Sequence, residues 1–393
     1  MHIKGNINAT EDEFEKTWCM FLKVAKESEM KAQKGRARRA WRQFVCDNIQ
    51  GTKTLASNLK PSFDTMNISS KLDQFQITSH ESDEFVFDEY NVSKALKEFA
   101  ADSLALIKAN VGGEKNFTAD LNKWLAIHNI IKLSKHMDAS LSKAFDASVL
   151  EALRLNFKTS KFSKPARLSS AFKVEVMDYL ADFEEDRSSK ILKRKLNLLA
   201  LKHDGAVARV LEAMIVMLNK MTNKTVAIGE KKIEDILEAV FGQLFKVTDD
   251  HDPHKYDNAL FHAPHPLEQC RPDYVVEVGS KSCYINLIGE IKPFPCRSAD
   301  LFLDTYRLGV FSVALLEKHK LKCLLAFQAK GLEVTFYLCF FEKGIYFMSG
   351  VEAVTFPASF SDYCSFGVFL DALYNVAVLY EKHCEQQQPQ QQQ

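Results

Sequence analysis

The chain has 393 residues, long enough for two domains, and its 46% hydrophobic and 26% charged residues are the mix of a globular protein. Lys+Arg and Asp+Glu both total 51, so no global positive field draws in nucleic acid and any basic surface has to be local. With no apolar run of about eighteen residues and no apolar stretch in the opening MHIKGNINATEDEFEK, the expectation is an intracellular protein, nuclear or cytoplasmic, neither membrane-spanning nor secreted.

In chain order, residues 1–222 read as an all-α region. A long helical stretch covers 13–49, with Trp18, Phe21, Val24, Trp41 and Phe44 on it. Residues 50–90 are rich in Ser and Asp and read as a loop or linker. Helical patterns resume at 92–111, 118–133, 148–156, 171–183, 189–199 and 206–221. From 223 to 382 the pattern changes, and the expected order is helix, hairpin, helix, strands, helix. The helix 231–245 carries apolar residues at 233, 236, 237, 240, 241, 244 and 245, one continuous stripe. The polar loop DDHDPHKYDNALFHAPHP follows. A hairpin RPDYVVEVGSKSCYINLIGEIKP turns at Gly-Ser-Lys. A mostly buried helix is expected over 298–320, strands over 323–327, 333–341 and 345–349, and an amphipathic helix over 362–381. The tail from 383 to 393 is Gln-rich and low in complexity. Nine cysteines, an odd count with no C-x-x-C, suit reduced core thiols rather than a disulfide frame.

Side chains alternate faces along a strand, so Glu290 and Lys292 share one face of the second hairpin strand, and Leu287 and Ile291 share the other. In an antiparallel hairpin Asp273, at the start of the first strand, lies beside the end of the second. Two carboxylates and an ammonium therefore converge at one sheet end. A hard divalent ion takes one or two carboxylates and keeps waters and a substrate phosphate. Its chemistry is to lower the pKa of a bound water and polarise a phosphoryl oxygen, and a nearby lysine steadies the developing charge. E-x-K occurs three times, at Glu29–Lys31, Glu230–Lys232 and Glu290–Lys292, but only the third sits on an apolar strand between a Pro-Asp strand start and a helix.

With these residues in view, Pro272-Asp273, a spacer and Glu290-Ile291-Lys292 resemble the PD-(D/E)XK nuclease superfamily. The strings GEIKP and DTYRLGVFSVAL also resemble a group of early-diverging fungal proteins with that core. The resemblance is limited to about residues 225–350. It implies an α+β chain with a restriction-endonuclease-like α/β core behind the all-α N-terminal region. By position it makes Asp273 and Glu290 the ligands of Mg²⁺ or Mn²⁺ and Lys292 the catalytic lysine. It adds an acid on the first core helix, where Glu234 and Glu238 are the candidates. Arg307, at i+3 from Asp304, is a candidate phosphate contact. The implied activity is a metal-dependent nuclease, with DNA favoured over RNA as partner. The alternative is an inactive nuclease fold that binds nucleic acid or protein, in which Lys292 bridges Asp273 and Glu290 as a plain ion pair.

Two further signals stand apart. His251, His254, His262 and His265 spell H-x-x-H twice, a zinc-like spacing or a solvated loop. The stretch KAQKGRARRAWR holds Arg38, Arg39 and Arg42, which read as a phosphate-gripping or nuclear-import face, or as a solvated one. Nucleophile-elbow, P-loop and dinucleotide-binding motifs are absent.

Overall fold

A computed structural model describes residues 84–109, 120–135, 139–162, 164–221, 229–261, 267, 270–279 and 283–385. The chain divides into two compact units, Met1–Thr65 and Met66–Gln393, and all described residues belong to the second. The strands are β1 (Val86–Phe87), β2 (Tyr90–Asn91), β3 (Ile130–Leu133), β4 (His251–Lys255), β5 (Tyr274–Val278), β6 (Tyr284–Lys292), β7 (Cys323–Lys330), β8 (Glu333–Glu342) and β9 (Ile345–Thr355). The helices are α1 (Val92–Ala109), α2 (Leu121–Ile127), α3 (Ala139–Ala144), α4 (Ala147–Asn156), α5 (Ser170–Asp186), α6 (Ser189–Ala200), α7 (Gly205–Lys220), α8 (Glu230–Leu244), α9 (Ser298–His319), α10 (Phe360–Tyr363) and α11 (Leu370–His383). The class is α+β, built on a mixed seven-stranded sheet in the order β3-β9-β8-β7-β6-β5-β4.

Two layers of helices cover the sheet. On one face α8 buries Ile233, Ile236, Leu237, Val240, Phe241 and Leu244. Phe241 meets Tyr274, Phe327, Phe336 and Phe356 edge-on, with centroids 4.8–5.9 Å apart. Helix α11 lies on this face as well, and Tyr380 meets Phe245 at 5.0 Å. The stretch Phe360–His383 is apolar enough to cross a membrane by composition, and half of it is buried inside the fold. Its apolarity serves the core: Leu370, Leu373, Val376, Ala377 and Tyr380 are all buried. On the other face α9 packs against β6, β7 and β8. It crosses α2 at Gly309, where a Cβ would stand 2.7 Å from Leu125.

The expectation of an all-α region ending at 222 needs correction. Strand β3 pairs parallel with β9, Ile130 opposite Tyr346 through Leu133 opposite Ser349. The helical pattern expected over 118–133 stops at Ile127. Asn129 adopts a left-handed backbone (φ 59°) that ends the helix, and the β-branched pair Ile130-Ile131 then extends. Residues 84–221 also share the core of the strands: Phe157 contacts Phe340 at 4.9 Å, and Tyr363 donates to the Met214 carbonyl. The end of the expected loop at 50–90 is likewise ordered. Strands β1 and β2 form a small hairpin, and Phe85 is buried edge-on against Phe347. The polar loop after α8 contains β4, an edge strand, where Pro253 is tolerated.

A candidate metal centre at the end of β5 and β6

Strands β5 and β6 pair antiparallel with Tyr274 opposite Gly289, and a bulge near Val276/Glu277 adjusts the register farther along. Asp273 extends this ladder. Its amide donates to the Gly289 carbonyl at 2.9 Å, and its Oδ2 accepts from the Ile291 amide at 2.7 Å. The carboxylate is thereby fixed beside Glu290. Leu287 and Ile291 point into the core with α8, and Gly289 is required there because a Cβ would stand 2.0 Å from the Phe327 ring. Glu290 and Lys292 take the opposite face, where α9 delivers Asp304 and Arg307.

The resulting cluster is closely packed. Lys292 Nζ lies 3.5 Å from Asp304 Oδ2, Arg307 Nη2 3.1 Å from Glu290 Oε1, and Arg307 Nη1 3.6 Å from Asp304 Oδ1. Glu290 is 0% exposed and Asp304 2%. Both oxygens of Glu290, Oδ2 of Asp304 and Nε of Arg307 are buried without a hydrogen-bond partner. The contacts to Arg307 and Lys292 are thus ion pairs without hydrogen-bond geometry. Arg307 also donates to the Arg271 carbonyl. On β7, Gln328 stands opposite Glu290 and is held by Thr305 Oγ1 and the Leu301 carbonyl.

Protonation follows from this crowding. Burial raises the Glu290 pKa well above the ordinary carboxylate range; Arg307 opposes the rise, and Asp273 and Asp304 add to it. Burial also raises Asp304, to about 6, against the pull of Lys292 and Arg307. For Lys292 burial pulls the pKa down, but Asp304, Asp273 and Glu290 together raise it, so the ammonium stays charged.

The helix acids fall differently from the expectation. Glu234 and Glu238 flank Lys255 of β4, at 2.7 and 3.6 Å, so their charge is turned to the edge strand. Glu230, one turn earlier at the start of α8, is the helix acid that senses the cluster. Partial burial raises its pKa, Lys292 opposes this, and Glu234 and Asp273 reinforce it. A signal for Glu230 was present in the second E-x-K and in the glycine before it, which opens the helix. Asp304 stood in the D-x-x-R beside Arg307, but its burial required the helix–sheet packing to be known. His251 and His254, three residues apart on β4, project from opposite faces and do not converge on a metal. His262, His265 and the Arg38, Arg39 and Arg42 cluster lie outside the described residues.

Whether the cluster suits a divalent ion is a question of charge and unfilled acceptors. Three acids (Asp273, Glu290, Asp304) act on two cations (Lys292, Arg307), which leaves net negative charge when all are ionised, and Glu230 adds to it from the start of α8. The acceptors on Glu290 are unused. Among the described residues no group of three or more His, Cys, Asp or Glu side chains is gathered to hold a metal. A Mg²⁺ site of one or two carboxylates completed by water and substrate needs no such group. Asp273 and Glu290 fit that donor set. No protein-family model matches the chain, and neither the curated proteins nor the solved structures contain a match.

Proposed function

We propose that this chain is a metal-dependent phosphodiesterase that cuts nucleic acid, DNA in preference to RNA. The observation that carries the reading is Glu290: a fully buried carboxylate with no hydrogen bond to either oxygen, set beside Asp273 and on the face of Lys292. Burying an unsatisfied carboxylate is costly, and such groups cluster at functional sites. Asp273 and Glu290 would hold Mg²⁺ or Mn²⁺, which when bound lowers the pKa of a coordinated water and polarises a phosphoryl oxygen. Asp273 is oriented for this role by the Ile291 amide. Lys292 stays charged among its acidic neighbours and supplies positive charge where negative charge develops. Asp304 positions Lys292 from the helix side.

Arg307 favours a second reading. Its guanidinium, 12% exposed, already neutralises Glu290 at 3.1 Å, so an ion reaches Glu290 only when Arg307 gives way. A fold that had lost its chemistry would keep such a network as an internal tie and serve as a binding module. The test is incubation of the purified chain with labelled DNA and RNA in Mg²⁺ or Mn²⁺, with and without chelator. Chelator-sensitive product supports the nuclease, and the absence of product in both metals sinks it.

A further inference from the structure

The segment leaving β6 places an aromatic side chain at the lip of this site. Phe294 follows Lys292 by two residues and is 51% exposed. A lone exposed phenylalanine is ordinary; this one is held in place. Pro293 and Pro295 flank it and restrict the backbone. The Gly331 amide donates to the Lys292 carbonyl at 2.7 Å, which ties the β7–β8 turn to this strand end. Gly331, at φ +63°, sits so close that a Cβ there would stand 3.1 Å from Phe294 Cβ. Arg297 and Asp300, joined by two bonds at 2.8 and 3.0 Å, fix the far end of the segment at the start of α9.

The lip also faces the cluster. Lys330 stands opposite Lys292 in the parallel β6–β7 register, so both side chains leave the same face of the sheet. Lys330 Nζ lies 5.2 Å from the Phe294 ring centroid. Burial raises the pKa of Cys296, two residues beyond Phe294, and the charges of Lys330, Asp300, Asp304 and Lys292 act on it after burial. An exposed ring backed by a cation, next to a candidate phosphodiester-cutting site, has the chemistry of a base-stacking platform. Every base presents a π-face to such a ring, and an adjacent lysine meets the backbone phosphate. A base can reach the ring only when it is unpaired, because bases inside a duplex are stacked on one another.

We propose that Phe294, backed by Lys330, stacks an unpaired base beside the scissile phosphate, so that the site takes single-stranded nucleic acid or a frayed end rather than a closed duplex. This rests on the nuclease reading above. The test compares wild type, Phe294→Ala, Phe294→Trp and Lys330→Ala. Binding is read by fluorescence anisotropy in chelator on a labelled single strand and on a closed hairpin duplex, and cleavage is read on both in Mg²⁺. The expected result is tighter binding of the single strand by wild type, a loss of about 5- to 150-fold in Phe294→Ala, recovery in Phe294→Trp, and a weaker salt dependence in Lys330→Ala. Wild type that cuts nucleic acid while Phe294→Ala binds and cuts the single strand equally well overturns the platform and leaves the nuclease standing. A wild-type preference for the closed duplex does the same. Wild type that neither binds nor cuts overturns both.

Discussion

Asp304→Asn should make the metal-free protein more stable at neutral pH. The Asp304 carboxyl is 2% exposed, and burial lifts its pKa from the ordinary 3.8 to about 6 even against Lys292 and Arg307. That is roughly a hundred-fold gain in proton affinity, worth ~3 kcal/mol. Below about pH 4 the group is protonated in both folded and unfolded chains and contributes no penalty. Between 3.8 and about 6 the unfolded chain releases the proton while the folded chain keeps it, so stability falls as pH rises. Above that range the full penalty is present. Asparagine is neutral throughout and matches the protonated form in shape, so the variant escapes the penalty. Thermal and urea unfolding of wild type and Asp304→Asn, in chelator across pH 4 to 8, reads this directly. The variant should unfold a few degrees higher at pH 7, and the decline between pH 4 and 6 should be shallower. A variant that melts at or below wild type at pH 7, or that keeps an undiminished decline, would show that the ion pairs with Lys292 and Arg307 outweigh the burial penalty.

Mg²⁺ or Mn²⁺ at a hundred-fold excess over Kd should stabilise wild type by about 2.7 kcal/mol, read as a higher melting temperature, and should leave Glu290→Gln unmoved; equal shifts in both proteins would place the ion elsewhere. Gly289→Ala sets a Cβ 2.0 Å from the Phe327 ring and should cost about 3 kcal/mol or more in urea unfolding; an unchanged midpoint would contradict the close approach of β6 to β7. Glu230→Gln should lower the pH at which any cleavage activity is half-maximal, because a negative charge that acts on Asp273 and Lys292 is removed; an unmoved profile would detach Glu230 from the site.

Local pattern made much of this architecture readable. The stripe from Ile233 to Leu244 announces a helix with one buried face. The turn glycines at 279, 331 and 344 mark the hairpins, and all three have positive φ. Strand alternation alone puts Glu290 and Lys292 together. What stayed hidden depends on partners distant in sequence. The four residues of β3 follow a short helix after only His128 and Asn129, and pairing with β9 makes them a strand. The polar text of β4 reads as a loop because its extension comes from β5. Without β4, Lys255 has no place, and the capture of Glu234 and Glu238 by it could not be foreseen. The burial of Asp304 and Arg307 depends on which turn of α9 meets β6, a matter of packing that sequence spacing leaves open.

The role of Lys292 is read most directly from the rate of Mg²⁺-dependent cleavage by wild type beside Lys292→Ala, with folding of both confirmed by their melting curves. Wild type should cleave in a chelator-sensitive way and the variant should lose about 100-fold or more, the scale of removing one preorganised charge from a developing anion. A folded Lys292→Ala that cuts at the wild-type rate would contradict the assignment of this cluster as the catalytic centre.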